Sequence, residues 1–343
     1  MTATEAEQRT IEACRRERLS LATERDYAGC VRRFVEWLST NSGCQSLCPE
    51  DRVCEYLSQR APHISASTQN QSLHALLLFY RAVLKQPLGR LPAWARAERP
   101  RRLPDWLPDA DVRRVLALLR DEVHLGCSMM YGSGLRVNEA AGLRWRAINY
   151  EHLAITIRAG KGDKDRTVPL PVSLVEELRR QEQHALALWH EDRAVGRPGV
   201  QIPDAVAHKS PRAGEDFGMF WVFPAAGLSR DPRSGIVRRH HLIDDTFANA
   251  LRRAVRRSGI TKKITPHCLR HSFATEYLLQ GGAIHELKEL LGHASIQTTE
   301  IYLHCLPALG ARVRSPLDRE PTNIVRLAAP AAEPATNRMR CLP

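Results

Sequence analysis

Residues 265–278 read TPHCLRHSFATEYL. Thr265 has the character of a helix N-cap, and Pro266 suits the first helical position, where its missing N–H costs nothing. His267 and Arg270 then stand three residues apart in the first turn, on one face. A helix N-terminus offers unpaired backbone N–H groups and the positive end of the dipole, so phosphate is its natural ligand. Arginine adds a charged planar fork for phosphate oxygens, and histidine exchanges a proton near neutral pH. A capped surface helix with an incidental His and Arg would look the same locally. The other segments must decide.

Three more segments carry chemistry-bearing residues. In LLGHASIQTTEIYLH (290–304), Gly292 reads as a helix stop, Ser295 as the next cap, and His293 as the corner between them. Tyr302 is expected two turns into the following helix. In YGSGLRVNEAAGLRW (131–145), a Gly-Ser-Gly turn delivers Arg136 at a helix start, a rigid place from which to aim a guanidinium. In RAGKGDKDRTVPL (158–170), a hairpin loop holds Lys161, Lys164 and Arg166, with Gly160 and Gly162 leaving Lys161 on a tight tip. Each segment also has a plain reading: a core tyrosine, an exposed arginine, a solvated basic tip.

Composition narrows the choice. The 343 residues allow two domains and a sizeable core, and 43% apolar with 26% charged residues is ordinary globular usage. Lys and Arg exceed Asp and Glu by 50 to 38, a net +12 that favours a polyanionic partner, nucleic acid ahead of a membrane surface. No apolar run approaches the ~18 residues of a membrane span, and the polar N-terminus lacks a signal-peptide core, so a cytoplasmic protein is expected. Nine cysteines form no regular framework. Cys44, Cys48, Cys54 and His63 lack the paired spacing of a zinc site, and no metal site is expected.

The periodicity implies a mostly α fold with a small β-sheet (α+β) in two domains. Residues 1–88 read as a helical domain, with Thr23 and Asp26 at capping-box spacing ahead of Tyr27, Val31, Phe34, Val35 and Leu38. A second helix carries Val53, Tyr56 and Leu57, and a third begins near Ser67 or Thr68. Residues 89–107 hold Pro92, Pro100 and Pro104 among five arginines, an extended basic linker that suits a path along a duplex as well as plain solvation. A larger α+β domain follows over 108–315. Its helices are expected near 112–119, from 136, over 173–190, and near 266–280, 284–291 and 295–305, and its hairpin pairs Leu153–Ile157 with Thr167–Leu170. An inserted segment spans about 190–243. Arg252, Arg253, Arg256 and Arg257 line the outer side of a helix whose other face carries Phe247, Leu251 and Val255. Residues 316–343 lack periodicity and read as a disordered tail.

Taken in order, Arg136, Lys161, His267-x-x-Arg270, His293 and Tyr302 resemble the constellation of the tyrosine recombinases, over roughly residues 15–318. The resemblance implies a site-specific recombinase in which Tyr302 attacks a phosphodiester, leaving a 3′-phosphotyrosyl link and a free 5′-hydroxyl without ATP. It implies that Arg136 and Arg270 hold the non-bridging oxygens, that His293 hydrogen-bonds the phosphate, that His267 takes the tyrosine proton and that Lys161 protonates the leaving oxygen. No cofactor or metal is implied. The implied assembly is a homotetramer on DNA in the synaptic complex.

WHEDRAVGRPGVQIPDAVAHKSPRAGEDFGMFWVF (189–223) and DPRSGIVRRHHLIDDTF (231–247) resemble the insertion and following loop of the integron integrases. In that family the segment supports binding of folded single-stranded recombination sites with extrahelical bases, alongside duplex sites, for the capture and excision of gene cassettes. Unstacked bases want flat apolar surfaces with basic groups for the backbone. Phe217, Phe220 and Trp221 would supply the first, Arg238, Arg239, His240 and His241 the second, and Pro232 a rigid apolar edge. Core packing competes for Phe220 and Trp221. The chain departs from the family in having fewer tryptophans before Phe220-Trp221 and Ser210 where a tyrosine is usual. The alternatives are a Xer-type or phage-type recombinase confined to duplex sites, a non-cleaving DNA-binding protein on the same fold, and a nucleic-acid-binding regulator of unrelated fold.

Overall fold

The computed structural model describes residues 1–98, 104–158 and 165–305, and the chain divides into two compact units, Met1–Arg102 and Leu103–Pro343. The fold is mostly helical with two small antiparallel sheets, in agreement with the sequence. No helix among the described residues is long and apolar enough to cross a membrane.

The first unit contains α1 (Ala3–Arg16), α2 (Leu21–Thr40), α3 (Pro49–Arg60) and α4 (Ala66–Leu78). Thr2, Ser20 and Ser65 cap α1, α2 and α4 by accepting a backbone N–H three residues on. Ser20 therefore starts α2 a little before the Thr23–Asp26 pair. Residues Ala6, Ala13 and Cys14 of α1 are buried, and such a narrow stripe of small residues leaves little periodic signal. The core gathers Val31, Phe34, Val53, Tyr56, Leu57 and Leu76, with Phe34 edge-on to Tyr56 at 5.2 Å. The first half of the expected linker is not free chain. Ala95 is buried, Gln69 donates to its carbonyl at 3.2 Å, and Asn70 exchanges hydrogen bonds with the backbone of Ala97.

The second unit opens with α5 (Asp109–Leu116), α6 (Asp121–Gly132) and α7 (Val137–Ala141). Helix α6 is buried continuously from Leu125 to Met130, so it has no polar face and no amphipathic period to read. Strands β1 (Ile148–Asn149), β2 (Ala154–Ile157) and β3 (Arg166–Pro169) form a sheet in that order, with Ile155 opposite Val168 and Ile157 opposite Arg166. Ile155, Ile157 and Val168 turn inward, as alternation requires. After α8 (Val175–Ala194) come α9 (Asp204–Lys209), a hairpin of β4 (Pro224–Arg230) and β5 (Val237–His241), and α10 (Asp244–Arg257). Helices α11 (Pro266–Leu279), α12 (Ile284–Leu291) and α13 (Gln297–Glu300) complete the unit. Helix α10 approaches α6 at Gly126, where a Cβ would stand 2.3 Å from the Phe247 ring. Buried α6 is thus the post against which α10 and α11 pack.

The insertion is built into this core. Phe220 and Trp221 are 2% and 3% exposed, so they offer no surface to a base, which corrects that reading. The Arg144 guanidinium lies 3.9 Å over the Trp221 ring and is tied to the carbonyls of Met219 and Gln201. Phe217 stacks on Trp145 at 5.8 Å and meets Trp189 edge-on at 5.9 Å. Arg239 is a second correction. It is 4% exposed, pairs bidentately with Asp192 at 2.6 and 2.7 Å, and donates to the carbonyls of Ala225 and Ala226. A guanidinium committed in this way has nothing left for a DNA backbone. Pro232 is exposed at the hairpin tip, where Asp231 accepts the N–H groups of Arg233 and Ser234. Arg238, His240 and His241 are half-buried along β5.

Candidate active site

Helix α7 begins at Arg136, whose backbone N–H donates to the Glu139 carboxylate at 2.8 Å while its guanidinium donates to the other oxygen at 2.7 Å. Arg166, the first residue of β3, reaches the same carboxylate at 3.0 and 2.6 Å. Arg270 approaches it at 3.9 Å. Burial alone would raise the Glu139 carboxyl, but hydrogen bonds from Arg166 and Arg136 and the Arg166 charge hold it down to about 2. One buried carboxylate therefore gathers three guanidinium groups.

The end of α12 holds the same three arginines from the other side. Arg166 donates to the Leu290 carbonyl at 2.9 Å, Arg270 to that of Leu291, and Arg136 to that of Gly292 at 3.5 Å. These carbonyls lie at a helix C-terminus, where acceptors lack intrahelical partners and the dipole favours cations. Gly292 closes the helix in the left-handed region at φ 60°, and a Cβ there would meet Arg166 at 3.0 Å. Arg270 is further fixed by the Gly134 carbonyl at 2.6 Å. Gly134 also lies at positive φ, with the Phe273 ring 2.5 Å from where a Cβ would be. The Gly-Ser-Gly turn thus positions two arginines: Arg136 by its course and Arg270 by its carbonyl.

Helix α11 presents His267, Arg270 and His271 from its first turns. Arg270 is 4% exposed, and burial followed by the Arg136 charge lowers its pKa to about 10, leaving it charged at neutral pH. His293 lies 3.4 Å from the Arg270 guanidinium on Nε2 and 2.9 Å from Thr299 Oγ1 on Nδ1. Burial and the charges of Arg270 and Arg136 press His293 down to about 4, and the imidazole is neutral. Tyr302 is 2% exposed in a turn just after α13, rather than inside a continuous helix over 295–305. Burial pushes its hydroxyl up to about 12, against the opposing charge of Arg270.

The Tyr302 hydroxyl is hydrogen-bonded by His271 Nδ1 at 2.8 Å, not by His267. His267 faces the open side of the site, has no hydrogen-bond partner among the described residues, and has its pKa lowered by desolvation and then by Arg270 and Arg136. The sequence contained a signal for His271: it stands four residues after His267, on the same helical face. Glu139 and Arg166 were also present in the quoted segments, yet nothing local says that their partners come from distant segments. Arg136, Arg270 and His293 are joined through Glu139, the end of α12 and their own contact, and His267 and Tyr302 lie close enough to feel the charges of Arg270 and Arg136. Lys161 lies outside the described residues. Of the other candidates, Pro232, Arg238, His240 and His241 lie on the β4–β5 hairpin.

The Glu139 arrangement makes a pH prediction. Its carboxyl is held at about 2 against an ordinary value of 4.5, so the stabilisation is complete above pH 4.5 and lost as pH falls towards 2. Glu139→Gln should cost about 3 kcal/mol of unfolding free energy at neutral pH. Denaturant unfolding as a function of pH should show that difference shrinking below pH 4.5, where the carboxyl becomes protonated in the unfolded chain while it is still ionised in the folded one. A difference that stays constant down to pH 3 would show that ionised Glu139 is not what holds the arginines.

The chain is similar to known proteins over most of its length. Residues 106–308 match the phage integrase family, and residues 7–90 match the phage integrase N-terminal SAM-like domain. An Escherichia coli protein named Integrase/recombinase is 45% identical over 304 residues, covering 88% of this chain and 90% of that protein. Tyrosine recombinase XerD of Agrobacterium fabrum is 30% identical over 269 residues, covering 73% of this chain and 74% of that one. The crystal structure of XerH site-specific recombinase bound to its difH substrate shares the fold, with a TM-score of 0.57 and 20% identity over 92% of this chain and 85% of that one. With both of these matches, the chain belongs to the phage integrase family of tyrosine recombinases.

Proposed function

We propose that this protein cuts and rejoins DNA at specific sites through a covalent 3′-phosphotyrosyl bond at Tyr302. The observation that carries the proposal is the set of Arg136, Arg270, His267 and His293 around one buried tyrosine. Arg136 and Arg270 would take the non-bridging oxygens and neutralise charge gathering on phosphorus, with His267 and His293 as added donors. Lys161 would protonate the departing 5′-oxygen. The phosphotyrosyl bond keeps the energy of the broken phosphodiester, so a free 5′-hydroxyl can reverse the step without ATP. The three arginines share a single carboxylate, and the phosphate completes the charge balance in place of a metal clamp. Two DNA sites would be joined within a tetramer.

Tyr302→Phe should bind DNA as the wild type does and form no covalent adduct on a nicked suicide substrate, read by denaturing gel electrophoresis. An adduct in that variant would remove Tyr302 from the nucleophile's role.

The finer reading is an integron integrase that also acts on folded single-stranded sites, and the exposed hairpin supports it. With Phe220, Trp221 and Arg239 committed to the core, the hairpin groups left for extrahelical bases and their backbone are Pro232 at the tip and Arg238, His240 and His241 on β5. Pro232→Gly and His240→Ala should weaken binding to hairpins with extrahelical bases by about 5- to 150-fold, the worth of one stacked base. The same variants should spare hairpins lacking those bases. Equal losses on both, at one salt concentration, would favour a recombinase confined to duplex sites.

A further inference from the structure

The nucleophile's hydroxyl has a single hydrogen-bonding partner among the described residues, and that partner is His271. We infer that His271 is the base for strand cleavage. As the phenolic oxygen bonds to phosphorus, the bond from phosphorus to O5′ breaks, the Tyr302 proton passes to His271 Nδ1, and the leaving oxygen takes a proton from Lys161. The inference rests on the reading of Tyr302 as nucleophile.

Geometry comes first. His271 Nδ1 is 2.8 Å from the Tyr302 oxygen, within the reach a base needs, and the two rings are 5.6 Å apart. His267 lies one helical turn earlier and faces the open side, beside the charges of Arg270 and Arg136. The face of α11 therefore divides the work: His267 and Arg270 belong to the phosphate, and His271 belongs to the tyrosine. Electrostatics agree. With its hydroxyl pushed up to about 12 by burial, Tyr302 is protonated at neutral pH and requires a base. Burial, then the charges of His267 and Arg270, hold His271 down to about 4, so its ring is neutral and able to accept. A base so weak would serve poorly beside bare arginines. A bound phosphate changes this, because its negative charge offsets the arginines that depress His271 and favours the imidazolium as the proton arrives. His271 would thus become an effective base once DNA is in place.

The test must separate proton transfer from mere positioning. Asparagine places its side-chain oxygen near the position of the imidazole Nδ1, so His271→Asn keeps an acceptor for Tyr302 but no base. His271→Ala removes both. Single-turnover cleavage of a nicked suicide substrate should slow by about 10²- to 10⁴-fold in each variant, with DNA binding retained as evidence of folding. Replacing Tyr302 by a difluorotyrosine lowers the phenol's pKa and its need for a base. This replacement should restore about 10-fold or more to both variants while changing the His271 enzyme little. His271→Asn cleaving nearly as fast as wild type would overturn the inference and leave His271 as a positioning residue. Variants that stay equally slow with the fluorinated tyrosine would overturn it as well. An otherwise wild-type enzyme that forms no adduct would instead count against Tyr302 as nucleophile, which is a distinguishable failure.

Discussion

Three arginines cannot be brought together without something to oppose their repulsion, and here the opposition comes from Glu139 and the carbonyl end of α12. The carboxylate bonds Arg136 and Arg166 directly and lies 3.9 Å from Arg270. The carbonyls of Leu290, Leu291 and Gly292 each take one of the same guanidinium groups. A single full negative charge thus faces three positive ones, with helix-end dipoles supplying the remainder. Among the described residues the arginine cluster is still short of negative charge. A phosphodiester is suited to such a place because it meets preset donors that need not reorganise as the pentacoordinate state forms.

The fold places this chemistry at element ends rather than in element interiors. Arg136 stands at the start of α7, Arg166 at the start of β3, His267, Arg270 and His271 in the first turns of α11, and Tyr302 in the turn after α13. Each position is rigid because the element behind it is anchored in the core. Helix α11 packs against buried α6, and β3 pairs with β2 through Ile155 and Val168. The aromatic insertion follows the same rule. Its buried part, around Phe220, Trp221 and the Asp192–Arg239 pair, braces a hairpin whose outer residues, 226–230 and 232–237, are exposed.

How far the sequence could be read depended on what each residue's partners were. The capped start of α11, the Gly292 stop and the β2–β3 alternation were legible because propensity and periodicity are local properties. The constellation from Arg136 to Tyr302 was legible from its order in the resemblance. Helix α6 escaped because a helix buried all round carries no amphipathic period. Arg239 read as a basic surface group because Asp192, which neutralises it, lies 47 residues away. Phe220 and Trp221 read as base-stacking surfaces because an aromatic pair looks the same in a core or in a binding face. The contact between His271 and Tyr302 spans 31 residues, and only the fold could reveal it.

A phosphate entering this arginine clamp should find Tyr302 on one side of it. The most direct measurement is an electron cryomicroscopy structure of the protein on nicked DNA trapped with orthovanadate, which mimics the pentacoordinate phosphorus. The account predicts Tyr302 and the 5′-oxygen at the two apical positions of vanadium. Arg136, Arg270 and His267 should be within hydrogen-bond distance of the equatorial oxygens, and Glu139 should still grip the arginines from behind. A vanadate held by another nucleophile, or arginines that leave Glu139 to reach it, would contradict the account.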